Sequence, residues 1–143
     1  MIVKEVSLKE AFNVHTTVSE FKDSYNLNFF KDKITCKNSL ILVAYLDNTP
    51  VGYLVGYNKF KDNSFYCWMA GVNPNFRRKG ALSALMNHQE KWAQKKGYKK
   101  IKIKTRNSRK AILSYLIKSG FNIYNFILKD LIENNEILLE KEI

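Results

Sequence analysis

Cysteine and proline are almost missing from this chain, and each absence narrows what it can be. Its 143 residues hold two cysteines, Cys36 and Cys67, with no second cysteine or histidine beside either at metal-ligand spacing. A disulfide framework and a zinc site are therefore not expected. The two prolines, Pro50 and Pro74, make no rigid linker, and no repeat or low-complexity tract interrupts the sequence, so residues 1–143 read as one domain. Long apolar runs are missing too: none approaches the roughly 18 residues of a membrane span. The opening MIVKEVSLKE places charges at Lys4, Glu5, Lys9 and Glu10 where a secretory signal would have its apolar stretch. The expected location is cytoplasmic, with no membrane partner. Histidine is scarce as well. His15 and His88 stand alone on their segments and read as ordinary surface or half-buried residues.

Acidic residues are few against basic ones, 13 to 24, for a net charge of +11. Such a balance invites a nucleic-acid reading. Lysine, however, outnumbers arginine 20 to 4, whereas phosphate and base recognition favours the planar arginine fork. Asparagine and isoleucine are abundant too, as codon bias in an AT-rich genome produces. No specific nucleic-acid partner is expected.

What is present is a globular composition, 45% hydrophobic and 26% charged. Ile2, Val3 and Val6 suggest a short first strand. Helical signals run from Leu8 to Phe21 behind Ser7 as N-cap, and a second short helix covers Leu27 to Ile34. LILVAYL (Leu40–Leu46) and VGYLVGY (Val51–Tyr57), joined through Asp47-Asn48, form a hairpin. FYCWMAGV (Phe65–Val72) is a further strand. A helix from Gly80 to Lys96 carries Leu82, Leu85, Met86, Trp92 and Ala93 on one stripe, and Gly97 suits its left-handed cap. KIKIK (Lys100–Lys104) alternates as a strand with its lysines on one solvated face. A last helix runs from Ser108 to Ser119, and strands Phe121–Leu128 and Glu136–Lys141 close the chain. This order, with a βαβ unit from Phe65 to Thr105, specifies an α/β (α+β) fold: a mixed central sheet of about seven strands with helices on its faces.

The informative stretch is Ala70 to Met86, AGVNPNFRRKGALSALM. A strand ends at Gly71 and Pro74, a basic turn follows, and Gly80 opens an amphipathic helix. Unpaired N–H groups and partial positive charge at a helix N-terminus make an anion site. Gly80 lets a ligand approach the backbone without a Cβ in the way, while Arg77, Arg78 and Lys79 add full charges. A pyrophosphate fits such a turn, and so does a plain solvated connection. Neither a Walker loop nor a G-x-G-x-x-G fingerprint occurs.

Val72, Pro74, Arg77 and Gly80 stand as V-x-P-x-x-R-x-x-G, which resembles the acetyl-CoA motif of the GNAT superfamily of N-acetyltransferases. The family's Q/R-x-x-G-x-G/A reads here Arg77-Arg78-Lys79-Gly80-Ala81-Leu82, with leucine at the last position. The hairpin is similar to the family's second and third strands, and Ser119-Gly120-Phe121 to its L-G-F-like ending of the last helix. The resemblance implies a GNAT fold splayed between strands four and five, with acetyl-CoA as cosubstrate and no metal. Its implied contacts are Ala70, Val72, Arg77, Arg78, Lys79, Gly80, Ala81, Leu82, Ser83 and Asn107, the last at a position where the family often has a pantetheine-touching asparagine.

The implied reaction is direct transfer of the acetyl group to an amine, of a small molecule or a protein, by a monomer or homodimer. Relatives often use a strand-four glutamate as base; FYCWMAGV has none, which leaves Glu20, Asp23 or a water relay. The family's acid is a tyrosine on the last helix. Counting back from Gly120 lands on Leu116, whereas the A-I-x-x-Y spacing from Ala111-Ile112 selects Tyr115, the catalytic candidate. Trp68 and Trp92 read as core residues, with the acceptor pocket as a second place for Trp68. The missing carboxylate and displaced tyrosine leave an alternative open, a non-catalytic acyl-CoA-binding regulatory module of the same fold.

Overall fold

A computed structural model describes residues 1–21 and 25–143 of the chain. Asp47 and Asn48 both take the left-handed conformation, φ 49° and 66°, which a two-residue hairpin turn requires. They fold β2 (Ser39–Leu46) onto β3 (Thr49–Tyr57). Around this hairpin are β1 (Ile2–Glu5), β4 (Ser64–Val72), β5 (Lys100–Arg106), β6 (Asn122–Ile127) and β7 (Glu136–Glu142). They form one seven-stranded sheet in the order β1-β2-β3-β4-β5-β7-β6. The pair β4–β5 is parallel and every other pair is antiparallel. The mixed sheet expected from the element order is thus the one found.

Four helices cover the sheet: α1 (Leu8–His15), α2 (Leu27–Ile34), α3 (Ala81–Lys95) and α4 (Lys110–Lys118). On one face Leu85 and Met86 of α3 and Leu116 of α4 pack with Leu42, Leu54 and Ile101. On the other, Ala11 and Val14 of α1 and Phe30 of α2 pack with Val43, Tyr53 and Val55.

Two boundaries differ from the periodicity. The first helix, expected through Phe21, stops at His15. There the hydroxyls of Thr16 and Thr17 donate to the carbonyls of Asn13 and Val14 at 2.7 and 2.6 Å, a local alternative to helical pairing. One 3-10 turn, Ser19–Phe21, follows. The last helix starts at Lys110 and not at Ser108, because Arg109 holds φ −90° and ψ 65°, outside the helical region, while Asn107 and Ser108 donate their N–H groups to the carbonyls of Asn135 and Glu133.

A β-bulge in β4 sets up everything that follows. Phe65 and Cys67 point into the α3/α4 core, as do Ala70 and Val72, whereas Trp68 and Met69 both face α1 and α2. The register with β3 shifts at the same place, Met69 opposing Val55 and Cys67 opposing Gly56. An extra residue bends and twists its strand. Pairing with β5 ends there, at Cys67 opposite Ile103. Beyond it the two strands part.

Gly56 is the partner the bulge needs. A Cβ on it would lie 2.5 Å from Cε2 of the buried Phe65 and 2.8 Å from the Tyr66 carbonyl. Gly56→Ala is therefore expected to lower stability by about 1–3 kcal/mol, the usual cost of overpacking. Denaturant unfolding checks this, and an unchanged midpoint would show that the bulge relaxes freely.

Candidate active site

β4 runs out at Val72 into a 3-10 turn, Pro74–Phe76, in which the Asn75 N–H donates to the Asn73 side-chain oxygen at 3.0 Å. Arg78 and Gly80 then take left-handed conformations, φ 62° and 87°. α3 starts directly behind them. Its N-cap is Gly80, which supplies no side-chain acceptor, so the first-turn N–H groups of Ala81, Leu82 and Ser83 lack intrahelical partners. A Cβ built on Gly80 meets no atom within 4 Å beyond its chain neighbours, so it would point into open space. Arg78 and Lys79 beside it are exposed. Backbone donors, helix dipole and two cations thus converge on one opening, a cradle suited to a pyrophosphate. Leu82, the departure from the family pattern, packs half-buried against the α3 core.

Arg77 does something else. Its Nη2 donates to both carboxylate oxygens of Glu20 at 2.7 and 2.6 Å, and its Nε to the Val72 carbonyl at 3.2 Å. The guanidinium fastens the 3-10 turn after α1 to the end of β4. Partial burial pushes the Glu20 carboxyl up, but the hydrogen bonds from Arg77 and Ser19 and the Arg77 charge outweigh it and leave the pKa below its ordinary value. A carboxylate so held is a poor proton acceptor. Asp23, the other acid considered, lies outside the described residues.

The two registers of the last helix now separate. Leu116 is fully buried in the core, and Tyr115 is half-buried with its hydroxyl 3.3 Å from Ser83 Oγ on the first turn of α3. A rotation of about 100° per residue sends neighbours to different faces, so only the tyrosine reaches the cradle. Asn107 is committed elsewhere: its Nδ2 donates to the Ile132 carbonyl at 3.2 Å, and Lys110 donates to its Oδ1 at 2.8 Å. It ties the β6–β7 connection to the end of β5.

His15 was expected at or near the surface and is instead 1% exposed. Its Nδ1 lies 2.6 Å from the Tyr53 hydroxyl, among the rings of Phe12, Phe21 and Phe30. Burial lowers its pKa and raises that of Tyr53. A lone histidine on a short helix carries no local signal for such a place. Arg109 was also missed. Its guanidinium stacks 4.6 Å from the Phe21 ring, linking the β5–α4 connection to the α1 side. Burial lowers its pKa, as does the charge of Arg106, while Glu20 opposes both.

Among the described residues no group of three or more His, Cys, Asp or Glu is placed to hold a metal, and no helix is long and apolar enough to cross a membrane. Comparison with known proteins finds the acetyltransferase (GNAT) family over residues 7–121. The ribosomal-protein-S18-alanine N-acetyltransferase from Escherichia coli shares the fold with a TM-score of 0.82 at 14% identity, covering 99% of this chain and 93% of that one. Ard1 from Thermoplasma volcanium gives 0.82 at 19% identity, with 99% and 97% covered. The PaiA N-acetyltransferase from Thermoplasma acidophilum, in complex with coenzyme A, gives 0.73 at 16% identity, with 99% and 98% covered. At these identities the likeness is one of fold, and it is the match over residues 7–121 that decides the matter: the chain belongs to the acetyltransferase (GNAT) family.

Proposed function

We propose that this acyltransferase moves the acetyl group of acetyl-CoA directly to an amine, in the cytoplasm. The observation that supports this best is the adjacency of two openings. The anion cradle of Arg78 to Ser83 lies at the end of the strand whose far half, Trp68–Val72, is left unpaired by β5. An elongated molecule with a pyrophosphate in the cradle lays its thioester arm along that free strand edge, where unpaired backbone N–H and C=O groups await partners. A neighbour of the same fold was solved with coenzyme A.

In this reading β4 supplies an N–H that stabilises the oxyanion formed when the amine attacks the thioester carbon. The two walls of the splay hold the reactants in line. Tyr115 Oη gives its proton to the departing sulfur. The attacking amine, with a pKa of roughly 10 when free, sheds its proton to water, because Glu20 is occupied by Arg77. Arg77 shapes the cradle by fixing its backbone, whereas Arg78 and Lys79 meet the phosphates. Incubating the protein with acetyl-CoA and a panel of small amines and peptides, with free thiol as readout, tests the reading. Amine-dependent thiol release is expected. Tight acetyl-CoA binding with no release on any amine would make the chain a binding module instead.

A further inference from the structure

On the sheet face that α1 and α2 only partly cover, a row of aromatic rings runs across the strands with lysines seated on it. Phe29 of α2 lies 6.1 Å from Trp68, Trp68 6.0 Å from Tyr57, Tyr57 5.7 Å from Tyr66, and Tyr66 5.6 Å from Phe60. Lys33 stands 5.6 Å over Phe29, Lys37 4.7 Å over Tyr57, and Lys59 4.6 Å over Tyr66. Lys102 continues the row, 4.9 Å from Phe60 and 5.4 Å from Tyr124 on β6. Three of the acids on this face are engaged, Asp62 with Lys102, Glu136 with Lys104 and Lys129, and Glu140 with Lys100, and the fourth, Glu142, lies opposite Lys100 near the end of β5 and β7. Among the described residues Lys33, Lys37 and Lys59 form no salt bridge. Burial lowers the Lys59 pKa, and the charges of Lys104, Lys33 and Lys37 lower it further, outweighing the opposing charge of Glu136. Like charges crowded this way favour an anion.

The row passes beside the splay. Trp68 is the bulge residue at which β4 leaves β5, and Lys104 is the first β5 residue past the last paired position. We propose that this row is the acceptor subsite, and that the acceptor is the free amino terminus of an acidic peptide. The inference rests on the acetyl-transfer reading and gives its substrate class. From Tyr57 on β3 to Tyr124 on β6 is four strand spacings, about 19 Å, which about six extended residues would span. A compact anion would leave most of that length unused. A nucleic-acid strand needs bare ring faces for its bases to stack on, and here ammonium groups lie over them. Carboxylates need only the charge, and lysine presents it as a mobile point with three donors.

Two hexapeptides with a free N-terminus and a C-terminal fluorophore test this, Ala-Glu-Asp-Glu-Asp-Gly and its neutral isostere Ala-Gln-Asn-Gln-Asn-Gly. Anisotropy is read with acetyl-CoA present at physiological salt, alongside thiol release. The acidic peptide should bind at least about tenfold more tightly, the scale of several exposed charge pairs acting together. In Lys37→Glu/Lys59→Glu that preference should vanish in a protein that still melts cooperatively and keeps its acetyl-CoA affinity, and the loss should fall on KM more than on kcat. Equal affinity for the two peptides would overturn the proposal. So would a preference that survives the double substitution, or displacement of the peptide by an oligothymidylate of equal charge at lower concentration. If the acidic peptide binds selectively but no peptide or amine is ever acetylated, the transfer reading falls and takes the acceptor role with it. If neutral amines alone are acetylated, only the peptide assignment falls.

Discussion

Gly80→Asp should abolish measurable acetyl-CoA binding in a protein that still folds. The glycine sits at φ 87°, a conformation that costs an ordinary L-residue about 1–2 kcal/mol and aspartate less, because its short side chain tolerates it. Such a cost is small against a typical domain stability of about 5–15 kcal/mol. No protein atom beyond the chain neighbours lies within 4 Å of the new Cβ, so no clash with another part of the fold adds to it. The side chain projects instead into the opening bounded by the first-turn donors of α3. A carboxylate there would compete for those N–H groups and repel the pyrophosphate. Two unit charges at about 4 Å interact by about 4 kcal/mol near a protein surface, enough for a loss of 100-fold or more. Gly80→Asn separates the two causes, since it has the same shape and the same tolerance of positive φ without the charge, and it should lose less. Calorimetric titration of both variants, with melting curves as the folding control, measures the difference. Unchanged affinity in folded Gly80→Asp would put the cofactor elsewhere.

The second large effect is expected at Tyr115. If its hydroxyl protonates the leaving thiolate, Tyr115→Phe lowers kcat by about 10²–10⁴-fold, the span of general acid catalysis, with acetyl-CoA affinity nearly intact. The structure keeps this test clean. The ring is half-buried and its phenylalanine replacement preserves the packing, while the hydroxyl's neighbour, Ser83 Oγ, is a long 3.3 Å away. The lost contact should therefore cost no more than about 1 kcal/mol. Ser83→Ala removes that neighbour without removing the proton donor and should leave kcat within a few-fold of the parent. Single-turnover rates and melting temperatures on both variants distinguish an acid from a packing residue. A near-parental rate in Tyr115→Phe would give the proton to water.

Local physics was enough for much of this protein. The hairpin of β2 and β3 was legible because two apolar runs flank a turn-forming Asp47-Asn48. α3 was legible because its apolar stripe repeats at helical period and ends before Gly97. The cradle was legible for the same reason: a glycine at a strand-to-helix junction, with arginines and a lysine before it, needs only neighbours in sequence to declare itself. β5 announced its two faces through strict alternation.

Other features depended on residues far apart in the chain. FYCWMAGV is apolar throughout, so it carries no alternation from which a bulge at Trp68 could be seen, and the splay hangs on that bulge. The different surroundings of Tyr115 and Leu116 needed the core, because only packing shows that Leu116 is consumed by it. Arg77 looks like a phosphate ligand until Glu20, 57 positions away in sequence, closes on it. His15 looks like a surface residue until the aromatic rings of three other segments surround it. The lysines looked like a composition effect until the sheet carried those of α2, the β3–β4 loop and β5 onto one face. Sequence by itself determined the elements, their order and the family, because turn chemistry, periodicity and motif spacing are short-range properties of the chain. Tertiary structure alone decided which charges are neutralised and which are left without a salt bridge, because burial and ion pairing are properties of neighbours in space.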